Sequence, residues 1–112
     1  MTTKKLVQMA ELPDYYVQLI ASARNAATVN TLKIKPTAHK VGGSVAGVWA
    51  GVKAGIFPPP IKVSTRSVAW VEKELDALLA AKREMSRTRQ SIDLRLFVAL
   101  LVAPQAGKSQ RL

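Results

Sequence analysis

The sequence predicts a mainly α fold with one small β-hairpin, and three observations carry that expectation. Apolar residues recur at helical spacing over residues 14–27, 44–54 and 72–85. Three consecutive prolines, Pro58–Pro60, then break that pattern, and two short alternating runs follow them around a polar turn. With 112 residues, the chain is sized for one small domain carrying appended helices.

In chain order, the first element is a helix over DYYVQLIASARNAA, with Asp14 expected at its N-cap. Tyr16, Leu19, Ile20, Ala23 and Ala27 supply its apolar face. Thr28 to Lys35 alternates like a short strand or an extended linker, and His39 is expected in the lysine-flanked loop beyond it. GGSVAGVWAGVKAG, residues 42–55, reads as a helix with Ser44 as N-cap and Gly55 as C-cap. Its apolar face is expected to be Val45, Val48, Trp49 and Val52. Gly47 and Gly51 each weaken this helix by about 1 kcal/mol relative to alanine, so it needs packing or a partner to hold it.

Pro58–Pro60 impose an extended path. Ile61-Lys62-Val63 and Val68-Ala69-Trp70 alternate on either side of STRS, which makes a hairpin with a basic tip. A helix from Glu72 to about Met85 turns Leu75, Leu78 and Leu79 inward. Glu72, Glu74 and Asp76 complement the dipole at its start. Ser91 to Ala103 is expected as a last helix, ended by Pro104. It is apolar nearly all round and therefore must be buried, in this domain or against another chain. Trp49, Phe57 and Trp70 are expected in the core. The organisation is thus an N-terminal helical extension (1–30), a central unit (31–85), an apolar C-terminal helix (86–104) and a disordered basic tail (105–112).

Charge narrows the function classes. The net charge is +10, and no acid occurs between Asp14 and Glu72, a span holding Arg24, Lys33, Lys35, Lys40, Lys53, Lys62 and Arg66. A compact structure built from it presents a positive surface, which attracts phosphate backbones. No cysteine is present, which fits a reducing cytoplasmic setting and excludes thiolate chemistry. The apolar runs fall well short of the roughly 20 residues a membrane span requires. His39 is the sole histidine, and no phosphate-binding loop, dinucleotide fingerprint or nucleophile elbow occurs. The sequence argues against an enzyme and gives no catalytic residue, metal site or cofactor.

The order helix, sharp turn, helix, proline corner, basic hairpin, helix describes a winged helix-turn-helix, in which the 44–54 helix enters the major groove and the hairpin follows the backbone. The DNA-binding residues expected on this layout are Ser44, Ala46, Ala50 and Lys53 from the helix, and Lys62, Ser64, Thr65, Arg66 and Ser67 from the hairpin. Lys33, Lys35 and Lys40 extend the phosphate contacts.

Residues 41–79, VGGSVAGVWAGVKAGIFPPPIKVSTRSVAWVEKELDALL, resemble the AlpA family of prophage and mobile-element regulators. The likeness rests on Gly42, Ser44, Trp49, Lys53, Gly55, Phe57-Pro58, Pro60, Lys62, Arg66, Val68-Ala69-Trp70, Glu72 and Glu74. The run Ile56–Pro60 followed by an aliphatic residue and a lysine also resembles the wing entry of winged-helix excisionases, and the order of elements resembles the compact excisionase and MerR type. The resemblance implies a bacterial or phage-encoded, nucleoid-associated protein that binds double-stranded DNA. It would act as a recombination directionality factor, a transcriptional regulator or both, bending DNA, working with an integrase and self-associating on adjacent sites. Family members usually carry Arg, Ser, Thr and Arg where Val45, Ala46, Gly47 and Ala50 stand here, so hydrogen-bonded base readout is thin. Leu78 stands where the family usually has tryptophan. The alternative is a protein-interaction or scaffold module that uses the apolar C-terminal segment, its charge being incidental.

Overall fold

A computed structural model describes residues 12–105. Expectations that fall on residues 1–11 and 106–112, including the basic tail, lie outside the described residues. The described elements are α1 (Asp14–Arg24), β1 (Thr31–Leu32), α2 (Ile34–Val41), α3 (Val45–Ala54), β2 (Ile61–Ser64), β3 (Ser67–Val71), α4 (Glu72–Thr88) and α5 (Leu94–Leu101). The strands form one antiparallel sheet in the order β1-β3-β2. The mainly α fold with a small hairpin is therefore observed, with β1 added to the hairpin's inner strand. No described helix is long and apolar enough to cross a membrane.

Helix α1 starts one residue earlier in its capping than expected. Pro13, not Asp14, is the N-cap: its carbonyl accepts from Tyr16 N and Val17 N. Asp14 already lies in the first turn, where it favours the dipole and accepts from Gln18 at 2.7 Å. Tyr16 and Ile20 are buried, whereas Ala27 lies beyond the helix and is exposed.

The largest difference from expectation is α2. Residues 34–41 are helical, so His39 stands on a helix and not in a loop, and it is exposed. Pro36 is compatible because it sits in the first turn, where its missing N–H would have had no helical partner. Ile34, Ala38 and Val41 turn toward the core at i, i+4 and i+7 spacing. Thr37 is fully buried and donates its hydroxyl to Leu32 O at 3.3 Å. Gly42, at φ 71°, ends α2, and Gly43 N donates to Ala38 O at 2.9 Å. Helix α3 ends the same way: Gly55 has φ 81°, and Ile56 N donates to Gly51 O at 3.0 Å. Both are glycine C-caps that close with a bond five residues back along the chain.

One core joins these parts. Trp70, Leu75, Leu78, Phe97 and Leu101 are essentially sealed, and Tyr16 meets Phe97 edge-on at 6.3 Å. Helix α1 packs on α4 and α5, while α2 packs on α3 and on the sheet. Helix α4 runs to Thr88, a turn longer than expected. Helix α5 is shorter at both ends because Asp93 caps it, accepting from Leu96 N at 3.1 Å, and it stops at Leu101, before Pro104. Its apolar stripe is buried in this chain through Phe97, Val98 and Leu101. With no basic residue in its own last turn, α5 takes its C-terminal cation from α1. Arg24 donates to the carbonyls of Leu100 (3.2 Å), Leu101 (3.3 Å), Ala103 and Pro104 (3.4 Å).

Two features of this packing are testable. A Cβ added at Gly51 would lie 3.0 Å from Phe57 Cβ, and Phe57 is held in the corner before buried Pro58. Gly51→Ala gains about 1 kcal/mol of helix propensity but overpacks at a cost of about 1–3 kcal/mol. A lower Tm is expected in thermal melts, and an unchanged or higher one would remove close approach as the reason for this glycine. Glu74 lines a cavity with Val29, Val71 and Leu101, and burial lifts its carboxyl to about 7 against the opposing pull of Arg24. The folded chain then holds a proton that the unfolded chain releases near 4.5, so this group lowers stability as pH rises from about 4.5 to about 7. Glu74→Gln should match the parent in acid and exceed its Tm above pH 7. Parallel Tm–pH curves would contradict the assignment.

Candidate nucleic-acid interface

The helix pair α2–α3 and the hairpin β2–β3 form the candidate site. Only Gly42, Gly43 and Ser44 separate α2 from α3. Ser44 is the N-cap of α3 as expected, its Oγ accepting from Gly47 N at 3.0 Å. This leaves the hydroxyl hydrogen and the first backbone amides of α3 for an anion.

The face of α3 differs from expectation. Val48 is buried and Val52 half-buried, but Val45 and Trp49 are exposed at 39% and 43%. Trp49 is thus not a core anchor. Its ring stands edge-on to Trp70 at 5.1 Å, whereas Trp70 and Phe57 are buried as expected. Ala46, Gly47, Ala50 and Lys53 are also exposed, so α3 presents small and apolar side chains with one cation in its last turn.

Strands β2 and β3 pair through Ile61↔Ala69, Lys62↔Val68 and Ser64↔Ser67, which leaves Val63 as a bulged extra residue. Thr65 and Arg66 form the tip. Lys62, Ser64, Thr65 and Arg66 are exposed and Ser67 is half-buried. The Ser64 and Ser67 hydroxyls lie 2.6 Å apart and tie the tip together.

Lys33 and Lys35 are exposed at the start of α2. Neither α2 nor α3 has an acid in its first turn, so both helix N-termini keep their positive ends. Two lysines at a helix start oppose the dipole and add nothing to helix stability. Their placement suits an external anion. Lys40 is differently placed: its Nζ contacts Glu72 at 3.0 Å and Asp76 at 2.8 Å. Glu72 and Asp76 are four residues apart and share one face of α4, although the i, i+2 spacing of Glu72, Glu74 and Asp76 suggests no shared face, and they bind a cation besides complementing the dipole. Their hydrogen bonds, that to Asp76 first, hold the Lys40 ammonium above its ordinary range. Sequence reasoning missed Arg95, whose Nε lies 3.6 Å from where a Cβ on Gly55 would stand. It is exposed beside the C-terminal end of α3, and nothing local in the α5 sequence signals that neighbour.

This arrangement is a winged helix-turn-helix: α2 and α3 are the helix pair and β2–β3 the wing. Residues 30–82, from the start of β1 to the middle of α4, match the family model described as "Prophage CP4-57 regulatory protein (AlpA)". The resemblance read from residues 41–79 holds and extends to β1 and α2. No curated protein and no solved structure matched the chain.

Lys40 therefore acts inside the fold, clamping α2 to α4. Lys40→Met should lower stability by about 1 kcal/mol, since the pair is part-exposed, and should leave DNA affinity near that of the parent. A loss of affinity as large as that from a hairpin cation, with stability intact, would make Lys40 a phosphate contact instead.

Proposed function

We propose that this chain is a DNA-binding regulator of a prophage or related mobile element, without chemistry of its own. Helix α3 enters the major groove, and the hairpin lies along the phosphate backbone. Lys62, Ser64, Thr65, Arg66 and Ser67 contact phosphates, and Arg66 reaches toward a minor groove, where basic side chains are favoured. Ser44, Ala46, Ala50 and Lys53 face the major groove, and Lys33 and Lys35 add phosphate contacts at the start of α2. Lys40 leaves the set because of its carboxylate partners. The observation that carries the reading is that α2, α3 and the hairpin are built from a stretch of chain without a single acid and leave Lys33, Lys35, Lys53, Lys62 and Arg66 exposed, in the segment matched to the AlpA family.

The finer reading is a recombination directionality factor of the bacterial cytoplasm that binds adjacent sites, bends DNA and works with an integrase. Because the Phe97, Val98 and Leu101 stripe of α5 is buried within the chain, pairing of copies on adjacent sites would use a surface other than that stripe. A second reading, a protein-binding module, is favoured by the exposed apolar residues Val45, Trp49, Ile61, Val63 and Val68. A complex with a protein partner, and no duplex retention at low salt, would decide for it.

The test is fluorescence anisotropy on duplexes from the attachment region of the surrounding element, titrated between about 50 and 200 mM salt. Affinity should fall steeply with salt. The exposed pair Lys62→Ala/Arg66→Ala should weaken binding to every duplex and make the salt slope shallower by about two. Parental affinity in that double variant would remove the hairpin from the interface.

A further inference from the structure

Helix α3 has an exposed face that is chemically unusual for a helix expected in the major groove. Val45, Ala46, Gly47, Trp49 and Ala50 are all exposed, and Lys53 is the one long polar side chain beside them. Ser44 at its start already accepts from Gly47 N. The surroundings are cationic, with Lys53, Lys62 and Arg66 exposed, and no acid occurs anywhere on α2, α3 or the hairpin. The charge thus suits DNA while the contact face itself is apolar. A partner must satisfy both.

We infer that α3 reads thymine through its C5-methyl groups, with Val45, Ala46, Trp49 and Ala50 as the contacting side chains. This rests on the DNA-binding reading above. The argument comes from what the major groove offers: hydrogen-bond acceptors and donors on every base pair, and one apolar group, the thymine methyl. An apolar helix face set against donors and acceptors alone would strip their water without replacing it. Against methyl groups the same face gains contact and excludes water at no such cost. Short side chains at 46, 47 and 50 let the helix backbone come close. Trp49 is braced edge-on by buried Trp70 and presents a large surface with little freedom to lose. Phosphate contacts from the hairpin then supply affinity that is largely blind to sequence, and α3 selects where along the duplex the methyls fall.

Uracil substitution isolates the effect, because it removes only the methyl and keeps the O4 acceptor and the pairing. The full-length chain is used to select duplexes from a random 30-bp pool at about 50 mM salt. The winning duplex is then rebuilt with uracil at every thymine, and the methyls are restored one position at a time. Each contacted methyl should be worth roughly three- to four-fold in Kd, so losing two should weaken binding about ten-fold. Ala46→Ser and Ala50→Ser, exposed changes that put a hydroxyl on the contact face with little change of volume, should bring the thymine-to-uracil affinity ratio toward one. Lys62→Ala should weaken both duplexes by the same factor. Equal affinity of the parent for thymine and uracil duplexes, with steep salt dependence kept, overturns the methyl readout and leaves DNA binding standing. If no duplex is retained at low salt, DNA binding and the methyl readout fall together.

Discussion

The hydrogen bond from Trp70 Nε1 to the carbonyl of Pro58, 2.8 Å long, fixes how the two halves of the candidate interface meet. Trp70 is fully buried, so its indole N–H must find a partner in the protein. Pro58 offers a carbonyl whose position is set by a locked φ and by Phe57 packed beneath α3. On its other side Trp70 pairs with Leu32 of β1, and Leu32 O accepts from Thr37 of α2. One residue therefore refers the hairpin to both helices of the helix-turn-helix, through its indole on one side and its strand pairing on the other. The edge-on contact with Trp49 carries the same anchor to the exposed face of α3.

Cations in the acid-free span divide into two groups that composition cannot tell apart. Arg24 and Lys40 act inside the protein, one on the carbonyls at the end of α5 and the other between two carboxylates of α4. Lys33, Lys35, Lys53, Lys62 and Arg66 remain exposed. The division follows distance along the chain. The partners of Arg24 and Lys40 lie 76 or more and 32 or more residues away, so only the tertiary fold brings them together.

Local signals were legible and long-range ones were not. Helix α3 could be read from end to end because Ser44 and Gly55 are caps whose chemistry acts within a turn or so. The hairpin was equally plain, since the prolines, alternation and turn residues sit side by side. Helix α2 is hidden because the alternation over Thr28–Lys35 points to an extended chain, whereas residues 34–41 are held helical by burying Thr37 and Ala38. The helical spacing of Trp49 points to the core, yet the residue is exposed. A period identifies a face but does not say whether the fold covers it, and α3 packs chiefly on α2.

Strand β2 is an edge, and its apolar residues Ile61 and Val63 are exposed on it. Bare edges of that composition invite strand addition from neighbouring molecules and, with it, fibrous aggregation. Here the bulge at Val63 interrupts the ladder, Pro58–Pro60 leave no N–H donors immediately upstream, and Lys62 sets a charge in the middle of the strand. The features that aim the hairpin are thus also those that make its free edge a poor template for another strand.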